Sequence, residues 1–149
     1  MHILVAIDRS KESQNALVNA LDIVKTFEGE VTAVHAVPPV ENVSNSDGAG
    51  TDRAEPEAIE RGREILKEVT ERALQRDISV ETELLVGDPI QAITEYAESH
   101  GADTIYVGHR GLSREGREFS GESRGPLGSV SKGLVEHTEV PVTVFDRGL

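Results

Sequence analysis

Five short apolar runs, separated by four segments whose apolar residues recur at helical spacing, constrain this chain more than any other feature. The first run, Ile3-Leu4-Val5-Ala6-Ile7, contains no polar position, as expected for a strand covered on both faces. Ser10 can cap a following helix with Leu17, Leu21, Val24 and Phe27 on one stripe. Val31 to Val37 repeats the strand pattern, and Ile59, Leu66, Val69 and Ala73 mark a second helix across residues 55–76. Ile78 to Val86 reads as a third strand. Asp88-Pro89 is a good N-cap and first-turn pair for a helix that buries Ile90, Ile93 and Ala97 and stops at Gly101. Thr104 to Val107, a helix from about Ser129 to His137, and a strand at Val142 to Phe145 complete the series.

Strict strand and helix alternation predicts an α/β, doubly wound, five-stranded parallel sheet with helices on both faces, since each crossover must be right-handed. With the first and fourth strands as neighbours the order is 3-2-1-4-5. Ligands of such sheets bind beyond the strand carboxyl ends where the winding reverses. Asp8 and Gly108 both stand at strand carboxyl ends, so one crevice should contain both. A chain of 149 residues is expected to form a single domain over 1–149, burying roughly two thirds of its unfolded surface. Two stretches interrupt the alternation. Residues 38–54, with Pro38-Pro39 and the polar run 42–50, are expected to form a mobile loop that starts at the ligand edge, and residues 112–127 an extended loop before the fourth helix.

The segment around that second loop carries the chemistry. Val107 leads into Gly108-His109-Arg110-Gly111, and Gly128-Ser129-Val130-Ser131 opens the last helix. A helix N-terminus offers unpaired N–H groups and partial positive charge, and glycine lets backbone approach an anion, so the pattern reads as a phosphate cradle. Neither G-x-x-x-x-G-K-[ST] nor a G-x-G-x-x-G after the first strand is present, which removes the P-loop and dinucleotide readings. Simpler roles exist for each residue: Asp8 as a helix cap or turn former, Gly108 and Gly111 as turn glycines, Ser129 and Ser131 as N-cap hydroxyls. Residues 109–125 hold Arg110, Arg114, Arg117 and Arg124 against Glu115, Glu118 and Glu122, a local sum of +1 in a chain whose formal net charge is −12. Guanidinium suits triphosphate, although Arg114, Arg117 and Arg124 can equally pair with those glutamates. His2, His35, His100, His109 and His137 show no metal-ligand spacing and read as surface or helix-end residues, with His100 and His137 placed to complement helix dipoles.

Composition excludes several classes. An excess of 27 acidic over 15 basic residues disfavours nucleic acid and anionic membrane as partners. The absence of cysteine removes disulfides, thiolate metal sites and cysteine nucleophiles. Without a signal-like start or a membrane-length apolar run, the expectation is a soluble, cytoplasmic protein. High acid content with little lysine resembles proteins of salt-loving organisms.

Asp8 after its apolar strand, Gly108-x-x-Gly111 and Gly128-Ser129 together resemble the universal stress protein family, whose nucleotide-binding members carry G-x-x-G, nine residues, then G-[ST]. The likeness runs from Ile3 through Leu85-Val86-Gly87-Asp88-Pro89 to Pro141-Val142-Thr143-Val144. Sixteen residues separate Gly111 from Gly128, seven more than the family motif. Gly121 stands at the nine-residue spacing, but Glu122 follows it, and a carboxylate there would repel phosphate. The resemblance implies an adenine nucleotide alpha hydrolase-like fold and an ATP site, with Mg²⁺ as an allowed companion. In that site Ala6, Ile7 and Asp8 line the adenosine side and Ala36 offers backbone to adenine. Val107, Gly108, Arg110 and Gly111 bracket ribose and phosphates, and Gly128, Ser129, Val130 and Ser131 hold the phosphate chain. It also implies a homodimer joined through the last strand, Val140 to Val144.

Enzymatic readings have little support, since no P-loop lysine, no Ser-His-Asp order and no paired carboxylates at a defined site are present. The leading expectation is a nucleotide-responsive stress regulator. The alternatives are a dimeric interaction module that binds no nucleotide, its site spoiled by the longer loop, and a weak ATPase or autophosphorylating protein.

Overall fold

A computed structural model describes residues 1–40, 54–109 and 128–146. The elements run β1 (His2–Ala6), α1 (Lys11–Phe27), β2 (Glu30–Val37), α2 (Pro56–Gln75), β3 (Glu81–Val86), α3 (Pro89–Ser99), β4 (Thr104–Gly108), α4 (Ser129–His137) and β5 (Val142–Phe145). All four strand pairings are parallel and the order is β3-β2-β1-β4-β5. The winding therefore reverses between β1 and β4, as the alternation predicts.

Burial follows the strand period of two. Ile3, Val5 and Ile7 face a core completed by Leu17, Leu21 and Val24 of α1 and by Ile65, Leu66 and Val69 of α2. Leu4 and Ala6 face the opposite core with Val34, Ile105 and Val107, closed by Ile93 and Ala97 of α3 and Val130 and Leu134 of α4. Residues 3–7 are completely or almost completely buried, so β1 is the centre of the molecule, and burying each large aliphatic side chain contributes about 1.5–3 kcal/mol. Local signals agree with these spans. Ser10 accepts from the Ser13 amide at the start of α1, Asp88 accepts from the Gln91 amide at the start of α3, and Gly101, with φ of 70°, follows the end of α3.

Three sequence expectations are corrected. Phe27 does not join the buried stripe of α1; at 70 % exposure it lies past the edge of the core, and Ile23 packs there instead. The third strand begins at Glu81, because Asp77 takes a left-handed φ of 60° and the Ile78 amide donates to the Ala73 carbonyl, which makes residues 76–78 the closure of α2. Its apolar Ile78 and Val80 still pack against the core from that connection. His35 is neither a surface nor a helix-end residue: it is half-buried within β2. His100 and His137 do serve helix ends, their Nδ1 atoms meeting the Tyr96 and Gly133 carbonyls at 3.0 and 2.9 Å. Most of the loop expected at 38–54, and all of that at 112–127, lie outside the described residues.

Candidate functional site

The exit of β1 is a turn in which side chains satisfy the backbone. Asp8 Oδ1 accepts from the Ser10 amide at 2.8 Å and from the Ser13 hydroxyl at 2.8 Å. The Asp8 amide donates to Ser13 Oγ at 3.0 Å, and Gln14 Nε2 donates to the Asp8 carbonyl at 3.2 Å. Asp8 is thus the turn former of the simpler reading, and Oδ2 takes part in neither of the two Oδ1 bonds. Burial pushes its carboxyl pKa up from the ordinary value; hydrogen bonds from Ser10 and Ser13 and the nearby His35 oppose this without cancelling it.

The exit of β4 lies beside it. Gly108 is fully packed, and no left-handed φ explains its choice: a Cβ would stand 2.7 Å from Glu12 Cβ and 2.8 Å from the Ser13 nitrogen. Gly108 is therefore a close-approach glycine that lets the first turn of α1 rest on β4, and the turn-glycine reading does not hold for it. The next residue closes the long connection at its base. The His109 carbonyl accepts from the Gly128 amide at 2.9 Å and from the Ser131 hydroxyl at 2.8 Å. Gly128 caps α4 with extended backbone, φ −64° and ψ 166°, and the first helical bond runs from the Lys132 amide to its carbonyl. The amides of Ser129, Val130 and Ser131 precede that bond, the orphan donors expected at a helix start.

These contacts join into one chain. Asp8 touches Ser13, Ser13 rests on Gly108, and His109, next to Gly108, holds Gly128 and Ser131, so Asp8, Gly108, Gly128 and Ser131 are linked across the exits of β1 and β4. Ala6, Ile7 and Val107 are buried near the ends of β1 and β4, Ile7 on the α1–α2 side of the sheet and Ala6 and Val107 on the other. Ala36 stands near the end of β2, two strands from β4. Arg110 and Gly111 lie outside the described residues. Among those described, no group of three or more His, Asp or Glu residues is placed to hold a metal. A groove of about 280 Å³ between α2 and β3, lined by Arg63, Leu66, Lys67, Thr70, Thr82 and Leu84, shares no residue with the crevice.

Sequence reasoning missed His35. Its Nδ1 lies 2.8 Å from the Ile7 carbonyl, one residue before Asp8. The available signal was a polar side chain at an inward position of β2, on the same face as Val31, Ala33 and Val37, since a polar group held inside needs a partner.

Comparison with known proteins decides the family. The model of the universal stress protein family matches residues 1–146. The chain belongs to that family. It is 31 % identical over 145 residues to universal stress protein MJ0531 of Methanocaldococcus jannaschii, covering 97 % of this chain and 81 % of the relative. Among solved structures, the protein MJ0577 superposes with a TM-score of 0.78 at 21 % identity, covering 99 % of this chain and 96 % of that one. An Archaeoglobus fulgidus universal stress protein in complex with dAMP superposes at 0.71 with 22 % identity, each chain 97 % covered. Further solved members carry cAMP, or, in Arabidopsis thaliana, AMP. The fold of these universal stress proteins is the adenine nucleotide alpha hydrolase-like fold, and this chain shares it.

Proposed function

We propose that this universal stress protein binds ATP and acts as a nucleotide-responsive regulator in the cytoplasm. The observation that carries the reading is the continuous chain of contacts from Asp8 through Ser13, Gly108 and His109 to Gly128 at the winding reversal. In this reading the Asp8 carboxylate would accept from ribose or adenine, and the free amides at the start of α4 would take phosphate. Ala6, Ile7, Asp8 and Ala36 would serve adenosine; Val107, Gly108, Arg110 and Gly111 the ribose and first phosphates; Gly128, Ser129, Val130 and Ser131 the phosphate chain. Relatives of the same fold in complex with AMP, dAMP and cAMP support an adenine nucleotide. Mg²⁺ would sit chiefly on phosphate oxygens and water, consistent with its reluctance to dehydrate. The edge strand β5, paired only with β4 among the described residues, would join two copies into a homodimer.

One observation favours the alternative of an interaction module without nucleotide: the Gly128 amide and the Ser131 hydroxyl are already bonded to His109. A phosphate chain would then rely on the amides of Ser129, Val130 and Ser131. The test is mass spectrometry of ligand released from freshly purified, heat-denatured protein, with calorimetric titration of ATP and Mg²⁺ at high salt. Released or titratable ATP is the expected result; a protein that is empty and ignores ATP, AMP and cAMP overturns the proposal.

A further inference from the structure

The β1–β2 ladder ends in an irregular way. Paired register stops at Ala6↔Val34, and the last bond runs from the Ile7 amide to the Val34 carbonyl at 2.9 Å. In a regular parallel ladder the next bond would run from the Ala36 amide to the Ile7 carbonyl. That carbonyl instead meets His35 Nδ1 at 2.8 Å. Facing a carbonyl, Nδ1 must carry the proton and donate. The backbone of Val37 faces β3, since its carbonyl accepts from Gly87, while that of Val34 faces β1. By alternation, the N–H and C=O of Ala36 face the β1 side, at the gap that opens beyond Ile7 toward Asp8.

The ring is seated from outside the sheet. A Cβ on Gly62 of α2 would stand 2.9 Å from His35 Cδ2 and 2.6 Å from Cδ1 of Leu84, the partner of His35 in the β2–β3 register. The backbone of α2 thus presses close on the imidazole, and its Nδ1 edge is held against Ile7.

We infer that His35 is a positioning residue that ends the β1–β2 ladder one bond early, and so keeps the Ala36 amide and carbonyl available for the edge of an adenine base. The inference rests on the nucleotide reading, in which Ala36 already offers its backbone to adenine, and adds to it the residue that holds that backbone pair open. An N–H donor beside a C=O acceptor matches the N1 acceptor and N6 amino donor of adenine. Hypoxanthine, with N1–H and O6, reverses both. A site that leaves a polar pair unmatched discriminates far more strongly than one that merely changes shape.

Two experiments test it. Amide hydrogen exchange on the unmutated protein should show Ala36 exchanging at least about a hundredfold faster than Val34 and His35, and slowing when AMP is added. Equal protection of the three amides in the free protein overturns the inference whether or not nucleotide binds. Titration with AMP and IMP then separates positioning from packing. His35→Asn, which restores a donor near Nδ1, should hold AMP affinity within about threefold, whereas His35→Leu should lower it about tenfold or more and leave the weaker IMP affinity unchanged. Equal losses for AMP and IMP in His35→Leu would mean that the ring only fills space. A wild-type protein that binds neither nucleotide would sink the nucleotide reading, and the exchange pattern of Ala36 would still judge the ladder.

Discussion

The two connections that meet at the crevice are built on opposite plans. From β1 the chain reaches α1 in four residues, and Asp8, Ser10, Ser13 and Gln14 bond one another and the backbone across that short turn. From β4 it takes twenty residues, 109–128, to reach α4, and among the described residues the connection is held at its base by the carbonyl of His109. A short turn can position a carboxylate by local bonds formed at little entropic cost. A long one must be closed against the entropy of all the chain between its ends. The adenosine side of the proposed site is thus rigid by construction, and the phosphate side depends on a clamp.

Gly128→Asp breaks the comparison hardest. Its extended φ and ψ accept any residue, and aspartate is a favoured N-cap, so melting temperature should hold or rise slightly. A carboxylate at the mouth of the helix would nevertheless repel phosphates, lowering ATP affinity about a hundredfold, or about 2.8 kcal/mol. Unchanged ATP affinity by calorimetry would move the phosphates elsewhere.

Gly108→Ala strikes where the two connections touch. The added methyl meets Glu12 Cβ and the Ser13 nitrogen, and backbone cannot yield as a side-chain tip does, so a loss of about 2 kcal/mol is expected in urea denaturation. A neutral result would show that α1 can shift off β4 and that the crevice is less tightly joined than its contacts indicate.

How far the sequence foretold this arrangement depends on the range over which each residue acts. Ser10, Asp88-Pro89 and Gly101 act within one turn and the strands read as apolar runs, so element order was legible, and the sheet order followed once the first and fourth strands were taken as neighbours. Phe27 and Ile78 were misplaced because an apolar residue continues a pattern on paper even after the helix has passed the core or the chain has turned at Asp77. Gly108 carries a steric requirement set by Glu12 and Ser13, far away in sequence, and composition cannot reveal it. His35 belongs to no spacing motif; its role exists only once β1 and β2 lie side by side.

Asp8→Asn tests what the rigid side is for. The Asn Oδ1 can keep both bonds from Ser10 and Ser13, while the charge is lost. Because burial raises the Asp8 pKa in the folded state, wild-type stability falls as pH rises from the unfolded value through the folded one, and the charged form is the costly one above both. Asp8→Asn should therefore raise melting temperature at neutral pH, with the gain fading as pH falls below the unfolded value of 3.8. ATP affinity should drop about tenfold, about 1.4 kcal/mol, as the carboxylate acceptor is lost. Loss of stability at neutral pH with ATP affinity unchanged would make Asp8 a structural turn former alone.

The smallest effect compares the two serines directly. Ser13 Oγ has three acceptors within 3.2 Å but one proton, and it also accepts the Asp8 amide, so Ser13→Ala leaves that partly buried amide unpaired and takes a donor from Oδ1. Ser131 Oγ donates to a His109 carbonyl that the Gly128 amide still serves, so Ser131→Ala leaves no orphan there. An unsatisfied buried group costs about 1–3 kcal/mol, whereas a lost bond whose partner stays satisfied costs about 1. Urea denaturation should therefore place Ser13→Ala about 1 kcal/mol below Ser131→Ala. Equal losses would mean that the Ser131 bond to His109 is as indispensable to the clamp as the Ser13 hydroxyl is to the β1 turn, and that the long connection is held far more firmly than its length suggests.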